Sequence, residues 1–414
     1  MSSRQVNPSC VSSGQKMFAL SVAVLCVVTA GSFATLSGLL TSLLIEELNW
    51  APIDTVLGIT LNMILYGATA PFAIFLMEKY GVKKIVVVSI LLLCLGGILS
   101  TIHSRIIFNL AWGILVGPGC GSLTMSFGAL FARLWFQNTG LPTGILTASS
   151  VTGQFVLLPF WAMLASAYGW QAPLVGSVIL SVTTLVILLV FLNEKFSALE
   201  TVTRSHLKPD ASPRDIYTHF IEFCRDRRFW VISLAFGMCG ATTNGLMWSN
   251  FTPAAAVEGI SMENASFLLL IIGVMNIPGT IAAGWLSDKY NHQIILAFIF
   301  ALRGASLVFL PFILSQPVGW ELMVFAVIFG IFDVATVPPV ISICNDMFGE
   351  RGPSAFSWVN VFHQVGAGII ALAGGLVFYL FGSYFFLWLL AGAICFMAIP
   401  VVLSSYHKIN SNVA

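Results

Sequence analysis

Charged residues are scarce in this chain of 414 residues, since Asp, Glu, Lys and Arg together make up 8% of it. Soluble globular proteins carry about 25% charged residues, so the composition excludes that class. The eight cysteines form no C-x-x-C pair, and the sequence lacks a phosphate-cradling loop, a cluster of metal ligands and a Ser-His-Asp pattern. We therefore expect no enzymatic activity, no cofactor, no metal and no nucleic-acid partner.

Long apolar segments fill most of the chain, and 58% of the residues are hydrophobic. A helix needs about 20 such residues to cross the hydrocarbon core of a bilayer. Twelve segments meet this need, at residues 17–45, 53–77, 85–102, 106–132, 141–167, 172–192, 229–256, 264–286, 294–314, 321–345, 354–381 and 384–403. They predict an all-α membrane protein with twelve transmembrane helices.

Positive charges are distributed unevenly between the turns that join these segments. If the N-terminus is cytoplasmic, every Lys and Arg except Arg105 and Arg303 falls on the cytoplasmic side. Cytoplasmic loops of membrane proteins are enriched in Lys and Arg, so both termini are predicted to be cytoplasmic. We expect a multi-pass protein of the cell inner membrane.

A charged stretch divides the twelve segments into two sets of six. The predicted organisation is a cytoplasmic N-terminal tail at 1–16, a six-helix bundle at 17–192, a cytoplasmic linker at 193–228, a second six-helix bundle at 229–405 and a cytoplasmic tail at 406–414. Within the linker, Ser212-Pro213 is typical of a helix start. Either an amphipathic helix on the inner membrane surface or a solvated linker with little helix fits this stretch.

The two halves echo each other in the turn that follows the second span of each. Residues 78–84 read E-K-Y-G-V-K-K, and residues 284–290 read G-W-L-S-D-K-Y. Repeated halves are typical of transporters that rock about a site near the membrane midplane. A carboxylate with basic residues beyond it can lock the inner ends of neighbouring helices. The predicted gating residues are Glu78, Lys79, Gly81, Lys83, Lys84, Gly284, Asp288 and Lys289.

At these turns the chain resembles the major facilitator superfamily, and the likeness covers about residues 15 to 405. The turn of that family runs G-x-x-x-D-R-x-G-x-R-R. Here the first copy has Glu78 in place of the Asp, and the second copy keeps Gly284 and Asp288. The resemblance implies two pseudo-symmetric six-helix bundles that transport by alternating access.

Within that superfamily the chain is similar to a bacterial branch of monocarboxylate and oxalate/formate porters. Phe136, Gly140, Leu141 and Gly144 match the F-x-x-R-x-G-L-x-x-G start of the fifth helix of that branch. The eighth helix departs from the pattern, because Thr280 stands where those porters place the arginine that holds a carboxylate. The resemblance therefore implies a carboxylate substrate, but the site lacks that arginine.

Three ionisable residues, Arg303, Asp333 and His363, lie deep in the predicted spans. A charge at the centre of a membrane helix costs about 2.5–3.5 kcal/mol, so each needs a partner or a function. Arg303 and Asp333 approach the midplane on antiparallel neighbours, which predicts an ion pair. That pair either packs two helices together or opens during transport, and only in the second case can Asp333 carry protons. His363 either titrates near neutral pH or bonds a neighbour.

Uncharged polar residues also occur on spans that line the cavity in the fold that this chain resembles. Amides in hydrocarbon need partners, so some of them join helices and others contact substrate. The candidates are Asn62, Gln154, Asn244, Asn250, Asn276, Thr280, Asn360 and Gln364, with Trp161 and Trp248 as walls of the site.

The predicted function is secondary active transport of a small organic metabolite, with a carboxylate as one candidate. Because the sequence lacks an ATPase motif, we expect a gradient to supply the energy, by proton symport. One alternative is transport of a larger metabolite, such as a siderophore or a drug-like compound. Another is a membrane sensor on the same fold that does not transport. The expected partners are a small-molecule substrate, protons and the lipid bilayer, and the chain is expected to be a monomer.

Overall fold

The computed structural model describes residues 13–128, 130–131, 136, 140–191, 213–287, 289–314 and 317–410. Twelve helices within these ranges are long and apolar enough to cross a membrane. They are numbered α1 to α12 in chain order: Gly14–Leu48, Ile53–Met77, Val82–Ser100, Arg105–Phe127, Ala148–Tyr168, Ala172–Val190, Arg227–Val257, Met262–Ser287, His292–Ile313, Trp320–Phe348, Gly352–Phe381 and Phe385–Ser404. The described residues contain no strand, so the prediction of an all-α membrane protein is confirmed.

Local sequence signals account for several helix ends. Asp226 precedes α7, and its side chain accepts a hydrogen bond from the backbone N–H of Arg228 at 2.8 Å. Asn291 precedes α9 and caps two backbone N–H groups in the same way. Such caps satisfy donors that have no partner inside the helix. The turn between α2 and α3 passes through Gly81 at φ 101°, a conformation that only glycine adopts without strain.

A break divides α10 into the helices Trp320–Asp333 and Val337–Phe348. Pro338 and Pro339 cause it, because a proline has no N–H and its ring clashes with the carbonyl four residues earlier. The N–H of Val337 donates to the carbonyl of Val334 instead of continuing the α-helical ladder. The carbonyls of Phe332 and Asp333 are thereby left free for other donors.

The helices pack as two bundles of six. In the first bundle α3 packs on α6 and α2 on α4; in the second, α9 packs on α12, α7 on α11 and α8 on α10. The most extensive contacts between the two bundles join α1 with α7, α2 with α11 and α5 with α8. The two-bundle architecture expected from the repeated turns is therefore present.

A short helix, Pro213–Arg225, precedes α7 and confirms the helix predicted at Ser212-Pro213. Its position relative to the membrane surface stays a prediction. The ring of Phe220 stacks on Trp358 of α11 with centroids 4.2 Å apart, and Phe223 meets Phe348 of α10 edge-on at 5.2 Å. These two phenylalanines thus pack on protein, because the end of α10 and the start of α11 offer them an aromatic surface.

Candidate functional site

The three deep ionisable residues predicted from the sequence all lie in the second bundle. Arg303 on α9 is completely buried, and Asp333 on α10 and His363 on α11 are 4% and 7% exposed. Burial of charged groups is costly unless hydrogen bonds or opposite charges compensate for it. The partners of each side chain therefore indicate what it does.

Arg303 binds backbone, and the ion pair predicted for it is wrong. Its Nη2 donates to the carbonyl oxygens of Phe332 and Asp333, the latter at 2.6 Å. Its Nη1 donates to the Sγ of Cys239 on α7 at 3.2 Å. No ion pair joins Arg303 to the Asp333 carboxylate within 4.0 Å.

The physical reason for this arrangement lies in the break of α10. The first half of α10 ends at Asp333, and the C-terminal carbonyls of a helix carry a partial negative charge that favours a cation. Those carbonyls have no helical donor because the first half of the helix ends at Asp333 and the N–H of Val337 bonds Val334 instead. The guanidinium of Arg303 therefore caps a helix end inside the membrane, which leaves the carboxylate of Asp333 to other partners.

The carboxylate of Asp333 is only partly satisfied. Its Oδ2 accepts a hydrogen bond from Nδ2 of Asn276 on α8 at 3.2 Å. Its Oδ1 is buried and has no protein partner, and the same holds for Oδ1 of Asn276. A buried carboxylate that has no ion pair and one open oxygen is a candidate for protonation, because protonation removes its charge and provides a donor.

His363 lies against aromatic and backbone groups. Its ring is 4.4 Å from the ring of Phe236 on α7, and its Nδ1 has no protein partner. Gly240 of α7 approaches it closely, because a Cβ added there would lie 2.6 Å from the carbonyl carbon of His363 and 2.9 Å from Cγ of its ring. Its position in the tight contact between α7 and α11 holds it in place, but the role of its proton stays a prediction.

Other predicted residues meet at the interface between the bundles. Asn244 on α7 donates to Oε1 of Gln364 on α11 at 3.4 Å, and Nε2 of Gln364 is buried without a protein partner. Gln364 also lies against α2, since a Cβ at Gly67 would be 2.5 Å from its Cβ. Asn360, one turn earlier, donates to Sδ of Met125 on α4 at 3.4 Å. These three amides of α7 and α11 therefore lie together where the bundles meet.

Two of the candidate amides lie in π-helical turns, which are rare and frequent at functional sites. Gln154 lies in the turn Thr152–Val156 of α5, and Asn244 lies in the turn Asn244–Trp248 of α7. Nε2 of Gln154 donates to Oγ of Ser150 at 3.0 Å. The ring of Trp248, at the end of the second turn, meets Tyr66 of α2 edge-on at 6.4 Å. Trp248 therefore forms part of the interface between the bundles.

Several candidates have roles inside a bundle. Asn62 donates to the carbonyl of Trp112 on α4 at 2.8 Å, and Asn250 donates to the carbonyl of Gly245 at 2.8 Å. Both amides bond backbone, and the Asn62 bond joins α2 to α4. Trp161 is 4% exposed and packs against α6, where Gly176 makes room for its ring. Trp161 thus packs inside the first bundle, and its role as a wall of the site stays a prediction.

Thr280 follows Asn276 by one turn of α8 and is partly exposed. No arginine from the described residues takes the place of the one that Thr280 replaces, because Arg303 is completely buried and already bonded. Recognition of a carboxylate at this site would therefore depend on neutral hydrogen-bond donors.

The predicted gating turns are described only in part. The side chain of Glu78 and all of Asp288 lie outside the described residues. The Nζ of Lys289 lies 3.9 Å from the centroid of Trp285, and that of Lys79 lies 5.5 Å from the centroid of Phe75. The remaining predicted residues of these turns are Gly81, Lys83, Lys84 and Gly284. Locking by these turns stays a prediction.

Cys239 and Thr336 belong to the buried polar cluster around Arg303 and Asp333, and the sequence did not predict either of them. Cys239 accepts from Arg303 and shares a 3.0 Å hydrogen bond with the hydroxyl of Thr336. Cysteine and threonine are common in membrane helices, so neither residue stands out by its type. The useful signal was Pro338-Pro339, because it marks the break whose free carbonyls need a donor.

The twelve apolar helices define a polytopic membrane protein. A family model described as Major Facilitator Superfamily matches residues 22–320 and 243–411. The chain therefore belongs to the major facilitator superfamily, whose members are transporters and not enzymes.

Monocarboxylate transporters are among the relatives of this chain. It is 25% identical to Monocarboxylate transporter 12 of Mus musculus over 311 residues, which cover 68% of this chain and 63% of the relative. It is 24% identical to Monocarboxylate transporter 2 of Homo sapiens over 349 residues, which cover 79% and 72% of the two chains. The match to the mouse protein thus spans less than two thirds of that relative's length.

Solved structures share the fold at low sequence identity. The xylose transporter XylE from E. coli, in a partially occluded inward open conformation, matches with a TM-score of 0.68 and 16% identity, over 94% of this chain and 99% of that chain. A POT family transporter in complex with 5-aminolevulinic acid matches with a TM-score of 0.72 and 12% identity, over 94% and 96% of the two chains. At these identities the likeness establishes the fold alone.

Proposed function

We propose that this protein is a secondary active transporter that moves a small organic metabolite bearing a carboxyl group together with protons, by alternating access. Membership of the superfamily supports transport, and similarity to monocarboxylate transporters favours the carboxyl group. The single observation that carries the proton coupling is the buried carboxylate of Asp333, which has one open oxygen and no ion pair within 4.0 Å.

Charge repulsion gives a physical reason for coupling the proton to an anionic substrate. In an environment of low dielectric constant, two like charges repel each other strongly. An ionised Asp333 would therefore oppose the entry of a carboxylate, whereas a protonated Asp333 would not. The Nη2 of Arg303 is already bonded to backbone carbonyls, so it does not offer a hydrogen bond to the substrate.

The contacts between bundles supply surfaces about which the bundles could rock. A Cβ added at Gly38 of α1 would lie 2.5 Å from the carbonyl oxygen of Trp248 on α7. Gly67 of α2 and Gly273 of α8 make similar close contacts with α11 and α5. Small residues at crossing helices allow the backbones to approach and slide. Alternating access about these three pairs is part of the proposal.

The inner turns and the orientation complete the proposal. Residues 78–84 and 284–290 would lock the cytoplasmic ends of the helices in one state, and both termini would be cytoplasmic in the cell inner membrane. The linker 193–228 would join two six-helix bundles at 17–192 and 229–405, in a protein that works as a monomer.

Uptake by the purified full-length protein in proteoliposomes tests the proposal. Vesicles with an alkaline interior are given labelled short monocarboxylates, dicarboxylates, amino acids and sugars at two external pH values. We expect monocarboxylate to accumulate with the pH gradient and accumulation to stop when a protonophore collapses that gradient. Asp333→Asn should abolish uptake because its amide cannot take up a proton.

The same experiment separates the alternatives. Flux of a larger compound with no flux of short monocarboxylates would favour a siderophore or drug-like substrate. Binding without flux, detected as a thermal shift of the purified protein, would favour a membrane sensor. Equal accumulation with and without the pH gradient would reject proton coupling but would be consistent with transport.

A further inference from the structure

The open oxygens of Asp333 and Asn276 flank the one hydrogen bond that joins the two side chains. Nδ2 of Asn276 donates to Oδ2 of Asp333 at 3.2 Å, and each side chain keeps an Oδ1 that is buried without a protein partner. Both residues are at least nine-tenths buried, at 2% and 4% exposure. Two acceptors therefore remain beside the bond, with no hydrogen between them.

A carboxyl group and a primary amide are planar groups of matching shape. When the acid is ionised, the amide N–H can donate a hydrogen bond to it. The amide oxygen cannot bond the acid, because an ionised carboxylate has no hydrogen to donate. When the acid is protonated, its O–H can donate to the amide oxygen while the amide N–H donates to the acid carbonyl. One proton thus satisfies both open oxygens, and only a turn about the end of each side chain is needed.

The surrounding helices fix the two residues relative to each other. A Cβ at Gly330 of α10 would lie 2.6 Å from the carbonyl oxygen of Ile272 on α8. A Cβ at Gly279 of α8, which follows Asn276, would lie 2.7 Å from the carbonyl carbon of Ile331 on α10. The two contacts lie on either side of Asn276 along α8 and just before Asp333 along α10, so they hold the two helices together beside the pair.

We propose that Asn276 is the positioning residue for the proton of Asp333, and that the protonated state is a two-bond acid–amide pair between α10 and α8. This inference rests on the proposed proton coupling and adds the atoms involved. A proton from water adds to Oδ1 of Asp333, and the new O–H donates to Oδ1 of Asn276. Release of the proton reverses the step and restores the single bond.

The titratable and charged groups around the pair come from three further helices. Arg303 of α9 directs its Nη atoms to backbone carbonyls and to Cys239 of α7, and His363 of α11 completes the set. None of these groups donates a hydrogen bond to the carboxylate. Among the described residues, Asn276 is therefore the side chain that donates to the carboxylate of Asp333, and the proton is expected to bind between these two side chains.

Infrared difference spectroscopy of the full-length protein in lipid, between alkaline and acidic pH, tests this proposal without any substrate. We expect acidification to produce the carbonyl band of a protonated carboxylic acid, and Asp333→Asn to remove it. In Asn276→Leu the band should move to higher frequency, because an acid without hydrogen bonds absorbs there. Asn62→Leu is the matched control, since Asn62 bonds the carbonyl of Trp112 and its loss should leave the band in place.

An exchange of the two residues provides the sharpest comparison. The double variant Asn276→Asp with Asp333→Asn keeps one acid and one amide in contact, so the band should return near its original frequency. If Asn276→Leu does not fold, Asn276→Ser replaces it, and its band should also rise because one hydroxyl cannot match both atoms of the acid.

The proposal is overturned if the band is absent at every pH at which the protein stays folded. It is equally overturned if the frequency of the band is unchanged in Asn276→Leu, or if the band is missing in the double variant Asn276→Asp with Asp333→Asn. A normal band with no uptake of any substrate would reject the proposed transport function and leave the pair standing. If uptake is driven by protons but the frequency of the band is unchanged in Asn276→Leu, the acid–amide pair is rejected and the proposed transport function stands.

Discussion

Replacement of Arg303 by methionine tests whether this residue caps the broken end of α10. Methionine has a similar length and no charge, so it fills the space but cannot donate hydrogen bonds. The carbonyls of Phe332 and Asp333 would lose their donor. We expect a less stable second bundle whose weak point is the break in α10.

The magnitude follows from the two carbonyl bonds. Hydrogen bonds between membrane helices average about 0.6 kcal/mol and reach about 1.7 kcal/mol. Two of them predict a loss of about 1–3 kcal/mol in the free energy of unfolding, at the upper end because the donor is charged. Arg351→Met is the matched control. Arg351 bonds Glu222 at 2.6 Å with both side chains more than half exposed, and such pairs contribute about 0–1 kcal/mol.

The assay is reversible unfolding of the purified protein in mixed micelles, measured for Arg303→Met, Asp333→Asn and the double variant. Because Arg303 binds the backbone of Asp333 and not its carboxylate, Asp333→Asn should leave the cap intact. Because the two residues are in contact, the double variant measures how strongly they are coupled. An Arg303→Met variant as stable as Arg351→Met would refute the reasoning.

Three further predictions concern a helix cap, a close contact between helices and the pH dependence of uptake. Hydrogen bonds from Arg228 hold the pKa of Asp226 below its usual range, so the cap stabilises the protein above about pH 4 and is lost as the pH falls further. Unfolding of Asp226→Ala against wild type should show a difference of about 1 kcal/mol at neutral pH that vanishes in acid. Gly240→Ala should destabilise by about 1–3 kcal/mol, since its Cβ would overlap the carbonyl of His363; Gly14→Ala, with nothing within 4 Å, should not change thermal stability. His363→Ala should shift the pH dependence of uptake, and an unchanged profile would remove His363 from the proton path.

The apolar segments predicted the twelve helices because hydrophobic length decides what can cross a bilayer. The start of the helix after Ser212 also followed from local chemistry, since proline and a capping residue act within one turn. Its position against α10 and α11 did not follow, because the aromatic surface formed by Phe348 and Trp358 exists only after folding.

The buried cluster shows the same division between local and long-range information. The scarcity of ionisable residues in the spans was enough to select Arg303 and Asp333. The predicted ion pair between them is wrong. Opposite charges suggested it, but Arg303 bonds the free carbonyls at the break in α10 instead. Asn276 was one amide among several in the sequence, and only the contact of α8 with α10 places it on Asp333.

Gradient-driven uptake tests the central claim, that Asp333 carries the coupled proton, most directly. Full-length wild type and Asp333→Asn are reconstituted at equal density, and labelled monocarboxylate uptake is followed with and without an inward proton gradient. We predict that the gradient drives accumulation of up to about tenfold per pH unit in the wild type, because one unit is about 1.4 kcal/mol for one coupled proton, and none in the variant. Equal gradient-driven accumulation by the two proteins would contradict the account.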